Sequence, residues 1–146
     1  DGPERGAIEQ LIASAGPQAV SRIHLLGYKS GEDLQREVGN ARFTVLSSEW
    51  RENMPYSGLE SLAAQTPIIG ARIGGIPELV EEGKTGVTFE SGNAVDLSNS
   101  MLKCAAVSAL NYSAMQHSCR EYVNARCLQN EYALALVDLY ERVIQR

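Results

Sequence analysis

No apolar run in the sequence approaches the roughly 18 residues that a membrane-spanning helix requires, so no transmembrane segment is expected. The chain opens Asp1-Gly2-Pro3-Glu4, without a basic start or an apolar stretch behind it, and no signal peptide is expected there. Positive charge is in short supply, with 13 Lys and Arg against 18 Asp and Glu, for a net charge of −5. A general nucleic-acid partner needs a basic face to neutralise phosphates, and this balance argues against one. A small anionic ligand is compatible with it, because a helix amino terminus can hold phosphate whatever the net charge. One local basic patch would also suffice for peripheral membrane contact.

Cysteine and histidine are sparse. Cys104, Cys119 and Cys127 form no CxxC pair, and an odd, scattered set suits a reducing compartment better than a disulfide framework. His24 and His117 lie far apart, and without close His/Cys spacing there is no case for a metal site. Buried thiols and ordinary histidines are the favoured reading. No GxGxxG follows a strand, which disfavours a dinucleotide dehydrogenase. Internal repeats and low-complexity segments are lacking as well.

What remains is an ordinary globular composition. The 146 residues, 44% hydrophobic and 21% charged, suffice for a single domain with a buried core, here 1–146 with 109–146 as a helical tail. Ile8, Leu11 and Ile12 recur at helical spacing over 6–15, before Gly16-Pro17. Arg22-Ile23-His24-Leu25-Leu26-Gly27 reads as a short strand, and Ser30 as a cap for a helix carrying Leu34 and Val38. Phe43-Thr44-Val45-Leu46 reads as a strand of the continuous apolar kind found inside parallel sheets. A helix over 56–65 and strands at 67–70 and 87–89 follow. Pro77 opens a short helix that Gly83 ends, with Glu78 in its first turn. A helix covers 94–106, and the chain is helical over 109–145 with a break near 124–128. Such alternation implies an α/β fold, a Rossmann-like parallel sheet with flanking helices. Tyr132, Leu136, Leu139, Tyr140 and Val143 form an apolar stripe expected to pack on its own lobe.

The chemistry concentrates in Glu49-Trp50-Arg51-Glu52-Asn53-Met54-Pro55-Tyr56-Ser57-Gly58-Leu59-Glu60, between a buried strand and a helix. Ligands of open α/β sheets gather at the carboxyl ends of strands, where helix amino termini point outward. Pro55 suits a first helical turn, which leaves N–H groups around Met54, Tyr56 and Ser57 for phosphate or sugar oxygens. Glu52 and Glu60 could then grip vicinal hydroxyls. Carboxylates at this spacing are also common by chance, and a glutamate in a first turn merely favours the helix dipole. Gly74-Gly75 permits unusual backbone angles, either for close approach to a ligand or only for a turn.

Glu52 and Glu60, with seven residues between them, resemble the E-x7-E motif of retaining GT-B glycosyltransferases, particularly family 4 (glycosyl transferases group 1). Leu59-Glu60-Ser61-Leu62-Ala63-Ala64-Gln65-Thr66-Pro67-Ile68-Ile69 resembles that family's LEALA-x-G-x-PVI segment. Gly74-Gly75-Ile76-Pro77-Glu78-Leu79-Val80, Gly83 with Gly86, and Asp1-Gly2-Pro3-Glu4 resemble its GGIPELV, G-x-x-G and GDGPE segments, all in family order. The resemblance implies the carboxy-terminal, donor-binding lobe. Glu60 would accept hydrogen bonds from the donor ribose, and Glu52, in the catalytic position, would contact hydroxyls of the transferred sugar. The amides of Asn53, Met54, Tyr56 and Ser57, around Pro55, would hold sugar oxygens or the diphosphate. Tyr28 and Lys29 correspond to a loop beside the base, and Gly74 and Gly75 to a backbone close to the ligand.

The implied function is transfer of a sugar from a nucleotide-diphosphate donor, such as a UDP- or GDP-sugar, to a hydroxyl of a carbohydrate or lipid-linked acceptor. No cofactor or metal is implied, and nothing in the chain nominates a nucleophile or a base. The resemblance implies a cytoplasmic protein, at the inner membrane face in many relatives that build polysaccharide. Ser47, Ser61 and Gln65 depart from the family's proline, alanine and glycine. The arginine and lysine that neutralise the donor diphosphate in the family follow an earlier strand; Arg5, Arg22 and Lys29 do not occupy that motif. The expectation is therefore a piece of a longer protein, inactive alone, without its amino-terminal lobe and first strands. Its four strands would leave 23–27 and 43–46 facing a gap, where buried unpaired backbone would be costly. A non-catalytic nucleotide-sugar-binding or interaction lobe is the alternative, and a GT-B phosphorylase or nucleotide-sugar epimerase is a further one.

Overall fold

The computed structural model describes residues 2–127 and 129–145. The chain divides into two compact units, Asp1–Leu34 and Gln35–Arg146. In the first, α1 spans Arg5–Ser14 and α2 spans Pro17–Arg22. Gly16, at φ 94°, turns the chain and Pro17 starts the second helix, so Gly16-Pro17 both ends one helix and opens another.

The strand expected over 22–27 is absent: residues 23–30 have no regular structure. A strand exists through its ladder, and apolar residues alone do not supply one. Leu25 and Leu26 instead line an open cleft of about 440 Å³ with Ile8 and His24. The sheet accordingly has three strands among the described residues and not four.

In the second unit the strands are β1 (Thr44–Leu46), β2 (Ile68–Ala71) and β3 (Gly86–Phe89), parallel and in the order β1-β2-β3. Thr44 lies opposite Ile68, and Ile68 opposite Gly86. The helices are α3 (Gly31–Asn40), whose first turn belongs to the amino-terminal unit, α4 (Tyr56–Ala63), α5 (Ile76–Leu79), α6 (Ala94–Ala105), α7 (Ala109–Arg126) and α8 (Gln129–Ile144). Every residue of β2 is buried. Side chains alternate across a strand, so Ile68 and Ile69 serve opposite faces. Ile68 packs with Leu62 of α4 and with Cys119 and Tyr122 of α7. Ile69 packs with Phe89 and with Cys104 of α6. Helices therefore cover both faces, as a parallel sheet requires.

Hydroxyls tie the layers together. Thr66 Oγ1 donates to the Val38 carbonyl at 2.8 Å, Ser61 Oγ donates to the Thr66 carbonyl at 2.7 Å, and Ser61 and Thr44 hydroxyls meet at 2.6 Å. The chain of bonds joins α3, α4 and β1. Tyr122 donates to the Glu78 carbonyl at 2.7 Å, and Arg126 stacks on Tyr122 while pairing with Glu81. These contacts hold α5 against α7.

Two further expectations change in detail. Pro55 is the cap residue before α4 rather than a residue of its first turn. The stripe on α8 does not pack on its own lobe: Tyr132, Leu139, Tyr140 and Val143 are exposed, and only Leu136 is half-buried. Periodicity says which face would gain from burial, not that a surface is there to cover it. The expected break falls at Cys127, which ends α7; residue 128 lies outside the described residues.

Ser61→Ala should lower stability by about 1–3 kcal/mol, because it leaves the Thr66 carbonyl without its side-chain donor. In a double-mutant cycle read by urea unfolding, Thr44→Val should cost less in the Ser61→Ala background than alone; additive losses would show the hydroxyls to be uncoupled. Burial pushes the Cys119 thiol up to about 12, from an ordinary value of 9.0, and raises Cys104 as well. A raised folded-state value stabilises fully below the unfolded value and is lost as pH climbs through it. Stability should thus fall above about pH 9, and a thiol reagent at pH 8 should label exposed Cys127 well before Cys104 and Cys119.

Candidate functional site

The loops that leave the carboxyl ends of the three strands converge. Residues 47–55 follow β1, residues 72–75 follow β2, and residues 90–93 follow β3. This is the edge at which open parallel α/β sheets bind ligands. Gly75 N–H donates to the Glu52 carbonyl at 2.7 Å. A Cβ on Gly75 would overlap the Asn53 carbonyl, and one on Gly74, at φ 55°, would overlap the Glu52 backbone. Here the glycine pair allows backbone to approach backbone.

Glu52 is half-buried, and Ser48 Oγ donates to its Oε1 at 2.5 Å. Ser91, in the loop after β3, donates through Oγ to the Ser48 carbonyl at 3.1 Å. Asn53, Met54, Tyr56 and Ser57 are exposed, while Pro55 is buried. Pro55 caps α4 at φ −71° and ψ 118°, with its carbonyl accepting from Gly58 at 3.0 Å and no side chain capping the helix. The first-turn N–H groups of an α-helix have no intrahelical acceptor, which leaves those of Tyr56 and Ser57 at an exposed, positively polarised end. Glu60 is exposed on the same helix, and its side chain has no hydrogen bond or ion pair among the described residues. It lines a cleft of about 310 Å³ with Gln35, Ala63 and Ala64.

The structure thus brings Glu52, Asn53, Gly74 and Gly75 into one backbone cluster, with Met54–Ser57 and Glu60 on the adjoining loop and helix. Tyr28, exposed, and Lys29, half-buried, belong to the amino-terminal unit. Glu78 lies in the first turn of α5, with its carbonyl engaged by Tyr122. Arg72 directly follows β2, but its guanidinium contacts Thr88 and Asp96, both at 3.2 Å. Ser48, Ser91 and Gln35 were not anticipated. Ser48 stands four residues before Glu52, a spacing visible in the sequence; Ser91 and Gln35 meet the site only through tertiary structure. Among the described residues no cluster of three or more His, Cys, Asp or Glu is arranged for a metal, and no helix is long and apolar enough to cross a membrane.

The chain is similar in sequence and in fold to known proteins. Sulfoquinovosyl transferase of Arabidopsis thaliana is 32% identical over 99 residues, 66% of this chain and 18% of that protein. N-acetyl-alpha-D-glucosaminyl L-malate synthase of Bacillus anthracis is 30% identical over 70% of this chain and 26% of its own length. The chain therefore spans about a quarter or less of these relatives. Among solved structures, sucrose-phosphate synthase of Thermosynechococcus elongatus superposes with a TM-score of 0.81 over 99% of this chain and 35% of that one, at 25% identity. Anabaena HepE in complex with UDP-glucose has the same fold, at a TM-score of 0.76 and 19% identity, over 91% of this chain and 36% of that one. A family model described as glycosyl transferases group 1 matches residues 1–125. With its strands, loops and helices in that order and the match covering all of the converging loops, the chain belongs to the glycosyl transferases group 1 family.

Proposed function

We propose that this chain is the donor-binding part of a retaining, family 4 glycosyltransferase. The parent protein moves a sugar from a nucleotide-diphosphate donor to a hydroxyl of a carbohydrate or lipid-linked acceptor. The observation that carries the reading is the Glu52 loop, clamped by the Gly75 N–H beside the uncapped amino terminus of α4. In this reading the N–H groups of Tyr56 and Ser57 face the diphosphate or sugar oxygens, and Glu60 accepts from the ribose hydroxyls. Glu52 contacts hydroxyls of the transferred sugar, where positive charge develops as the diphosphate departs. In the family pattern Tyr28 and Lys29 correspond to a loop beside the base. The complexes of Anabaena HepE with UDP and UDP-glucose support a nucleotide-sugar donor.

The acceptor site belongs to an amino-terminal lobe outside this chain, and the basic residues for the diphosphate to an earlier strand. The reading needs no metal or further cofactor, because helix N–H groups and basic side chains can hold the leaving diphosphate. It places the parent in the cytoplasm, at the inner membrane face if its acceptor is lipid-linked.

Thermal unfolding of the chain with UDP, GDP or ADP tests the site directly. A ligand bound only to the folded state adds about 2.7 kcal/mol at a hundred times its dissociation constant. One diphosphate should raise the midpoint and Glu60→Ala should remove the shift; no shift with any of them at millimolar concentration would sink the reading for this chain. Gly75→Ala should both lower stability by about 1–3 kcal/mol and abolish the shift, since the new Cβ must push the Glu52–Asn53 backbone aside. Retained binding in that variant would show that the clamp is not part of the site.

A further inference from the structure

We propose that Ser91 and Ser48 form a positioning relay that sets the Glu52 carboxylate for the sugar half of the donor; the inference rests on the donor-site reading. Glu52 is fixed at two points. Its carbonyl accepts from the Gly75 N–H at 2.7 Å, which anchors the backbone. Its Oε1 accepts from Ser48 Oγ at 2.5 Å, which selects one side-chain rotamer. An ionised glutamate has acceptor capacity on both oxygens, and Oε2 carries no bond among the described residues. Holding Oε1 therefore leaves Oε2 to accept from a ligand hydroxyl.

Ser48 must itself be held for this to work, because it sits in a loop. Ser91 Oγ supplies that restraint by donating to the Ser48 carbonyl at 3.1 Å, across 43 positions of sequence. Ser48 and Ser91 are both half-buried, so water competes less for these bonds than at an exposed site. The β3–α6 loop is in turn braced by its own hydrogen bonds. Asn93 caps α6 by accepting from Val95 and Asp96, and Asp96 accepts from the Glu90 N–H at 2.7 Å. Restraint thus passes from α6 through Ser91 and Ser48 to the Glu52 carboxylate. Ser91 and Ser48 are positioning residues: Ser48 touches the glutamate, Ser91 acts on it through Ser48, and neither holds the donor.

Calorimetric titration of the chain with UDP and UDP-glucose, and with GDP and GDP-mannose, separates this role from a structural one. For the pair that wild type binds, Ser91→Ala and Ser48→Ala should weaken the nucleotide-sugar by about three- to tenfold, the worth of one hydrogen bond. Affinity for the bare diphosphate should stay within about twofold, and Ser91→Thr, which keeps the hydroxyl, should restore the wild-type ratio. Equal weakening of diphosphate and nucleotide-sugar overturns the relay in favour of loop integrity, as does no change in either. A wild-type chain that binds the diphosphate but gains nothing from an attached sugar also overturns it, leaving the diphosphate site standing. Binding of neither ligand removes the donor reading itself and the relay with it.

Discussion

The second unit depends on the burial of β2 between two ladders and two cores. Its backbone pairs with β1 on one side and β3 on the other, and its side chains alternate between α4 with α7 and α6. The spacing leaves no room for adjustment at Gly86, where a Cβ would overlap the Ile68 carbonyl. Once β2 is placed, its carboxyl end delivers Gly74 and Gly75 to the loop that carries Glu52. Core and site are therefore coupled through four residues of strand.

That coupling runs through the backbone of Gly75 and is reinforced by two serine hydroxyls. The Glu52 loop has no regular structure of its own, yet its shape is constrained by the Gly75 N–H, by Ser48 and by Ser91. A loop held this way can keep a carboxylate oriented without burying it. Burying an unpaired charge would be costly. Half-exposure with a single hydroxyl donor avoids that cost while still restricting the rotamer.

The departures from the family pattern acquire physical meaning in the same setting. Ser61, at an alanine position, takes part in the hydroxyl chain through Thr44 and Thr66, so its polar atom is satisfied although buried. Gln65, at a glycine position, adopts φ 60° just beyond the end of α4. Left-handed backbone is where glycine is favoured, and a glutamine there carries a conformational cost. Ser47 replaces a proline in the loop after β1 and is exposed, and nothing in the structure explains the choice.

Much of this was legible in the residues themselves. Helical spacing over 6–15 and 94–106, the apolar strands at 43–46, 67–70 and 87–89, and the glycine pair each appear within a residue or two of their predicted places. Local periodicity and turn chemistry decide such elements, because their hydrogen bonds and apolar faces repeat at short range. The pairing of Glu52 with Glu60 on a strand–loop–helix unit was likewise a local pattern. Residues 23–27 and the stripe on α8 went the other way, because a strand needs a neighbouring backbone and an apolar face needs a surface to cover it. The same holds for Ser91 over Ser48, and for Gln35 in the cleft beside Glu60. Sequence by itself determined which segments could be helix, strand or turn and which family they belong to. Tertiary structure alone decided which strands found partners, which faces were covered and which distant hydroxyl steadies the glutamate, since those depend on contacts between segments that carry no mark of one another.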